Sequence, residues 1–326
     1  MTASNKLNVL QLISDDMQAV IQKSAELAPD AYDVNAGLDS MRTAYSKERA
    51  YWNEGGPEVP YTDAVITTSQ GDVPVRFHTP THEVSPAIIY IHGGGFILGG
   101  LDTHDRIMRI LADQTGATVV GVDYSLSPEA KHPRALRECV ELAQYLHTHG
   151  SKHGIDGDSI SFAGDSGGAF LSLASYLYLK NEVDGARYIQ ALILYYGLYG
   201  LRDSVSRRLM GGTWDGLTEE DLAYYMDSYL ADPADARSPY VDCLSADLST
   251  VPPCFIAAAE YDPLIDDSAA LAAVLSKHGL HHRYVVYAGV LHAFLHNSRH
   301  LDTAMDALVD GAQFFRDLVK NPQTSL

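Results

Sequence analysis

The sequence predicts an α/β protein, with an eight-stranded, mostly parallel sheet flanked by helices and topped by a helical cap. Three observations carry this. Eight short apolar runs alternate with amphipathic stretches of helical period. Several of the runs are apolar throughout, as strands covered on both faces are. Ser166 lies in Gly164-Asp165-Ser166-Gly167-Gly168, between an apolar run and a helical run led by Phe170, Leu171, Leu173 and Ala174. Such alternation favours a parallel sheet with right-handed crossovers.

In chain order, residues 1–55 open with Leu10, Ile13, Met17, Val20 and Ile21 at helical spacing and are predicted to form an N-terminal helical cap segment. Strands are expected at 63–68, 73–78, 87–92, 118–124, 159–163, 190–195, 254–259 and 283–287, and helices at 104–116, 134–149, 167–180, 267–278 and 299–318. The core is thus 56–200 and 240–326. Residues 201–239 interrupt the alternation with Gly211-Gly212, a helix start at Thr218-Glu219-Glu220-Asp221 and an apolar face of Leu222, Tyr225, Met226 and Tyr229. Long insertions in compact α/β domains usually serve a binding site, so this segment is predicted to complete the cap.

The chain has 326 residues, 46% of them hydrophobic, enough for one large core. Its net charge of −19 repels phosphate backbones and anionic lipid, which argues against nucleic acid and membrane surfaces as partners. The first ten residues lack a basic segment followed by an apolar one, and no apolar run is long enough to span a bilayer, so the expected address is the cytoplasm. Cys139, Cys243 and Cys254 are odd in number and widely spaced, which indicates neither a zinc site nor a disulfide framework, and no metal is expected.

A serine in a glycine-flanked turn from strand to helix is lifted out of the backbone, and the helix N-terminus aims free N–H groups at a developing oxyanion. Gly-Asp-Ser-Gly-Gly also occurs in chymotrypsin-like proteases, but there the serine follows its His and Asp. Upstream, His92-Gly93-Gly94-Gly95 closes an apolar run; consecutive glycines there expose N–H groups, and those of Gly93 and Gly94 are expected to join Gly167 in an oxyanion hole. A phosphate cradle would need a following Gly-Lys-Ser/Thr, which is absent. His92 is read as a scaffold residue. Among fourteen histidines, His292 is singled out as the base because it sits in an apolar loop after the last strand, while His147, His149, His153, His278, His281, His282 and His300 fall in polar helix ends or loops. For the acid, Glu260, Asp262, Asp266 and Asp267 compete; Asp262 leaves its strand in a turn before Pro263, whereas Asp266 and Asp267 suit a helix start. The order Ser166, Asp262, His292 is that of α/β-hydrolases.

With these residues the chain resembles the hormone-sensitive-lipase family of α/β-hydrolase esterases, through His92-Gly93-Gly94-Gly95, Asp123-Tyr124, Ser127-Pro128-Glu129, the segment from Gly164 to Gly168, Asp262-Pro263-Leu264 and the stretch from Gly289 to Phe294. It is similar in particular to the family's bacterial cytoplasmic acetyl esterases, through Asn5-Lys6-Leu7 and the stretches 94–109, 196–209, 214–218 and 291–299. The resemblance implies a Ser166, Asp262 and His292 triad, Gly93, Gly94 and Gly167 as oxyanion donors, and support from His92, Gly95, Gly164 and Asp165. It also implies an N-terminal cap, no cofactor, and small short-chain, acetyl esters as substrates. Two departures stand out: alanine is usual at Gly167, and the arginine of the usual Tyr-Arg-Leu-Ala-Pro-Glu is replaced by Ser125. The resemblance carries an alternative in which the protein mainly binds and inhibits a regulatory protein such as the maltose-gene transcription activator, with an α-galactosidase as a further partner and homo-oligomers as an assembly. A peptidase on the same fold is disfavoured by the lack of a propeller-like domain.

Overall fold

The structure is a computed structural model that describes residues 5–29, 31–33, 36–81, 83–183 and 185–320. The predicted N-terminal segment and core therefore reach, at residues 1–4 and 321–326, outside the described residues.

Eight strands, β1 (Tyr61–Thr68), β2 (Gly71–His78), β3 (Ser85–Ile91), β4 (Thr118–Val122), β5 (Ile155–Asp165), β6 (Ile189–Tyr195), β7 (Cys254–Tyr261) and β8 (His282–Leu291), form one sheet in the order β1-β2-β4-β3-β5-β6-β7-β8. β2 pairs antiparallel with β1 and β4, and every other pairing is parallel. The continuous apolar run of β3 is explained by its two covered faces. Ala87, Ile89 and Ile91 enter one core with α4 (Arg134–His149), α5 (Gly167–Glu182) and α8 (Ile265–Lys277). Ile88 and Tyr90 enter the other with α1 (Asp15–Leu27), α3 (Asp105–Thr115) and α9 (Asp302–Lys320). β1, at the sheet edge, buries only Ile66 and reads accordingly as a mixed polar strand.

The predicted elements are all present, with shifted ends. β4 stops at Val122 rather than Tyr124, because Tyr124 turns to stack on His92 at 4.2 Å and to donate to its carbonyl at 3.0 Å. β8 runs four residues past the predicted Tyr287, to Leu291, after a register shift against β7 beyond Ala259.

The N-terminal segment folds as α1, capped by Ser14 accepting from Met17 N–H, and α2 (Leu38–Asn53). The crossover between β6 and β7 carries α6 (Val205–Leu209) and α7 (Glu219–Tyr229); α7 starts at the predicted place, with Thr218 and Asp221 closing a capping box. The two regions meet in a small separate core, where Met41 and Tyr45 of α2 pack with Leu217, Tyr225, Ile97, Leu98 and Leu264. Among the described residues no helix is long and apolar enough to cross a membrane.

Candidate active site

The C-terminal ends of β3, β5, β7 and β8 converge beneath a cavity of about 930 Å³. Open α/β sheets bind ligands at this edge because the loops there leave a crevice. β5 delivers Ser166 at φ 52°, ψ −121°, a left-handed conformation costly for a side-chain-bearing residue that places Oγ outside the turn. The turn is tight enough that a Cβ on Gly168 would overlap the Ile91 carbonyl oxygen and one on Gly164 would crowd Gly168. Gly167 is less constrained: a Cβ there would lie 3.2 Å from Phe96 Cε1, and its N–H, at the first position of α5, has no acceptor one turn back in the helix, while the residue lines the cavity.

Directly after β7 comes Asp262, whose Oδ1 accepts from Leu264 N–H at 2.7 Å while Oδ2 faces His292 Nδ1 at 2.7 Å. Directly after β8 comes His292, whose Nε2 lies 2.8 Å from Ser166 Oγ. With Nδ1–H donating to the carboxylate, Nε2 is left to accept the serine proton. Three residues from separate strand ends thus form one hydrogen-bonded chain. The competing acids have other work: Glu260 accepts from Gly289 N–H, Asp266 from Ser206 N–H, and Asp267 from Tyr199 N–H and Arg207.

Burial alone would lower the His292 pKa. The Asp262 carboxylate outweighs it by charge and hydrogen bond, with Asp215 and Asp165 adding to it, and the imidazole is held above its ordinary range. His92 is the opposite case: burial pushes it down to about 3, and its Nδ1–H donates to Gly93 O at 2.8 Å. The histidines assigned to the surface are all exposed or half-buried.

One expectation is corrected. Gly93 N–H donates to Asp165 Oδ1 at 3.0 Å and is therefore not free to meet an oxyanion. The cavity is lined instead by Gly94, Gly95 and Gly167, and the N–H groups of Gly94 and Gly95 make no hydrogen bond among the described residues. Gly94 has φ 112°, which only glycine takes readily, and this turns the loop toward Ser166.

Sequence reasoning missed three features. Asp215, on the insertion, is buried near His292, with Oδ1 accepting from Gly212 and Leu217 N–H at 3.0 and 3.1 Å, and burial lifts its carboxyl to about 7. His104 and His296 are buried beside Asp165, with nitrogens 3.4 and 3.7 Å from its oxygens. This trio, all within 4.8 Å, is a donor set a metal could use, and separations of 61 and 131 residues along the chain concealed it. Asp165 Oδ1, however, already accepts from Tyr90 O–H at 2.8 Å and from Gly93. Hydrogen bonding therefore accounts for the carboxylate. The only sequence signal for Asp215 was its place in the Trp214-Asp215-Gly216 turn.

The profile of the alpha/beta hydrolase fold family matches residues 88–296. The acetyl esterase of Salmonella paratyphi B is 47% identical over 324 residues, covering 99% of this chain and all of that protein, and the acetyl esterase of Salmonella typhi is 46% identical over the same length. A hyperthermophilic esterase from the archaeon Pyrobaculum calidifontis has a similar structure, with TM-score 0.87, 30% identity and coverage of 94% of this chain and 99% of that one. EstE1, a thermostable carboxylesterase from a metagenomic library, aligns with TM-score 0.82 and 27% identity over 87% of this chain and 98% of its own. A sheet of this order, a serine at a strained strand-to-helix turn and full-length likeness to acetyl esterases lead to one conclusion: the chain belongs to the α/β-hydrolase family, in its hormone-sensitive-lipase-like group, and is a carboxylic ester hydrolase.

Proposed function

We propose that the chain hydrolyses short-chain acyl esters, acetyl esters above all, through an acyl-enzyme on Ser166. The observation that carries this reading is the pair of short contacts from Asp262 to His292 and from His292 to Ser166, 2.7 and 2.8 Å. Ser166 Oγ attacks the ester carbon as its proton passes to His292 Nε2, and the charge forming on the carbonyl oxygen is met by the N–H groups of Gly94, Gly95 and Gly167. Asp262 stabilises the imidazolium, which then protonates the departing alcohol as the C–O bond breaks. A water that loses its proton to Nε2 attacks the same carbon, and collapse returns a proton to Ser166 Oγ and releases the acid.

Residues 1–55 and 201–239 act as the cap in this reading, since Tyr32, Tyr45 and Arg49 from one and Asp215, Tyr225 and Met226 from the other line the cavity over Ser166. The acetyl preference draws support from the full-length likeness to acetyl esterases and from the aromatic walls Phe96 and Tyr225 beside the glycine loop. The buried, unpaired Cys139, Cys243 and Cys254 suit a reducing cytoplasm. No step uses a metal, so EDTA is expected to leave kcat/KM unchanged.

The test is a panel of p-nitrophenyl esters from acetate to decanoate below their micellar concentrations, with Ser166→Ala as control. An open acyl tunnel would add about 0.8 kcal/mol of binding per methylene, whereas a closed one must be strained to admit each. The expected maximum lies at acetate to butanoate with a steep fall by octanoate; an octanoate optimum would overturn the acetyl reading. Ser166→Ala is expected to lose on the order of 10³-fold or more in kcat with the fold intact, and a variant keeping a tenth of the activity would exclude Ser166 as nucleophile.

A further inference from the structure

Asp165 immediately precedes Ser166, is almost wholly buried, and takes no part in the steps above. A carboxylate in such a place is costly unless polar partners surround it, and two hydrogen-bond donors and two imidazoles meet this one from four separate segments. Tyr90 O–H of β3 and Gly93 N–H of the glycine loop donate to Oδ1 at 2.8 and 3.0 Å. His104, ahead of α3, and His296, four residues past His292, bring their Nε2 atoms to 3.4 Å from Oδ1 and 3.7 Å from Oδ2. Burial would raise this carboxyl, but the two imidazoles outweigh it and hold the group well below the usual carboxylate range, so it is ionised.

We infer that Asp165 is a positioning residue for the oxyanion donors: by holding Gly93 from below, it directs the next N–H groups of the loop into the cavity. The inference rests on the acyl transfer proposed at Ser166. Gly93 is pinned at both ends, its N–H by Asp165 and its C=O by His92 Nδ1–H at 2.8 Å. Because the peptide is planar and trans, the Gly94 N–H must point opposite to the Gly93 C=O. Fixing Gly93 therefore fixes the first oxyanion donor. Close approach is built into the contact, since a Cβ on Gly93 would lie 2.5 Å from Asp165 Oδ2. The same side chain is continuous with the backbone that carries Ser166 and faces the His292 loop through His296, so nucleophile, base and donor loop share one anchor.

Asp165→Ala and Asp165→Asn would be compared with wild type for kcat, KM and inhibition by an alkyl trifluoromethyl ketone, whose carbonyl adds the serine oxygen and becomes an oxyanion. Loss of a preorganised oxyanion donor typically costs on the order of 10²-fold in kcat. Asp165→Ala is expected to lose about that much with KM within about threefold, and to bind the ketone more weakly by a similar factor. Asp165→Asn, whose Oδ1 can still accept from Tyr90 and Gly93, is expected to recover to within about tenfold of wild type. A kcat loss with unchanged ketone affinity, or an Asp165→Asn as damaged as Asp165→Ala, would overturn the inference. Should Asp165→Ala fail to fold, Tyr90→Phe cuts one tie to Oδ1 and leaves every charge in place. It is expected to weaken kcat and ketone affinity together by a few fold at constant KM, and no change in either would count against the inference. Ser166→Ala separates the two readings. If it stays active, acyl transfer at Ser166 is wrong; if it is dead while ketone affinity ignores Asp165, only the role of Asp165 falls.

Discussion

Single contacts separate the candidate acids. Asp262 is 2.7 Å from His292 Nδ1, while Asp266 serves Ser206 N–H. Asp262→Asn is therefore expected to lower kcat by about 10⁴-fold, as an amide there leaves the imidazole in the wrong tautomer, and Asp266→Asn by less than tenfold. Equal losses in steady-state kinetics would refute the assignment. The same contact sets the pH dependence. His292 is a base only when neutral, and its pKa is raised, so activity is expected to vanish as pH falls through a value above the ordinary 6.5. A kcat/KM profile flat down to about pH 4 would remove His292 from the role. Gly167 offers a third test. Alanine there keeps the N–H, but its Cβ would press on Phe96, which is stacked on Tyr229 at 4.1 Å and edge-on to Phe170 at 5.4 Å. Gly167→Ala is expected to keep kcat within tenfold of wild type and to lower Tm slightly; a loss as large as that of Asp262→Asn would mean that the backbone donor had moved.

At the level of elements, the loop from Gly212 to Leu217 is folded around one side chain. Asp215 Oδ1 holds both ends of the turn, while Oδ2 is buried without a hydrogen-bond partner. Burial raises this carboxyl from 3.8 to about 7, so the folded protein keeps a proton that the unfolded chain releases. The sign follows from linkage: below pH 3.8 both states are protonated and nothing is lost, and between about 4 and 7 the wild type loses stability as pH rises. Asp215→Asn cannot ionise. Its Tm relative to wild type is expected to climb across that window and level off above it, read by thermal denaturation at a series of pH values; a difference independent of pH would mean that Asp215 is ionised throughout. The core and insertion are also tied by Asp267 of α8, which accepts from Tyr199 and Leu201 N–H and pairs with Arg207 of α6 at 2.8 Å.

For the whole molecule, the net charge of −19 sets the field that a substrate meets. The cavity is lined by as many acids as cations, with Arg207 and Arg208 each paired with an aspartate, Asp267 and Asp203, so the rim does not reverse that field. A carboxylated ester is expected to have a lower kcat/KM than its neutral analogue at low salt, and added salt should narrow the gap as the Debye length shrinks below ~10 Å. A gap that widens with salt, measured on matched esters, would show that local cations govern entry.

The sequence by itself determined the layers and placed the candidate site residues. Apolar periodicity is a local property, so β3 and α5 could be read from consecutive residues, and Ser166, Asp262 and His292 could be read from their places after predicted strands. Strand ends were less legible because they depend on partners: Tyr124 leaves its strand for His92, and β8 extends beside β7. Only the tertiary structure decided which glycine N–H groups are free, since that depends on where an acceptor lies as well as on the residue that carries the donor. Asp165 takes Gly93 and leaves Gly94 and Gly95 to the cavity. His104, Asp165 and His296 likewise meet only because three distant loops close on one sheet edge, and Asp215 takes its place near His292 only when the insertion folds over it.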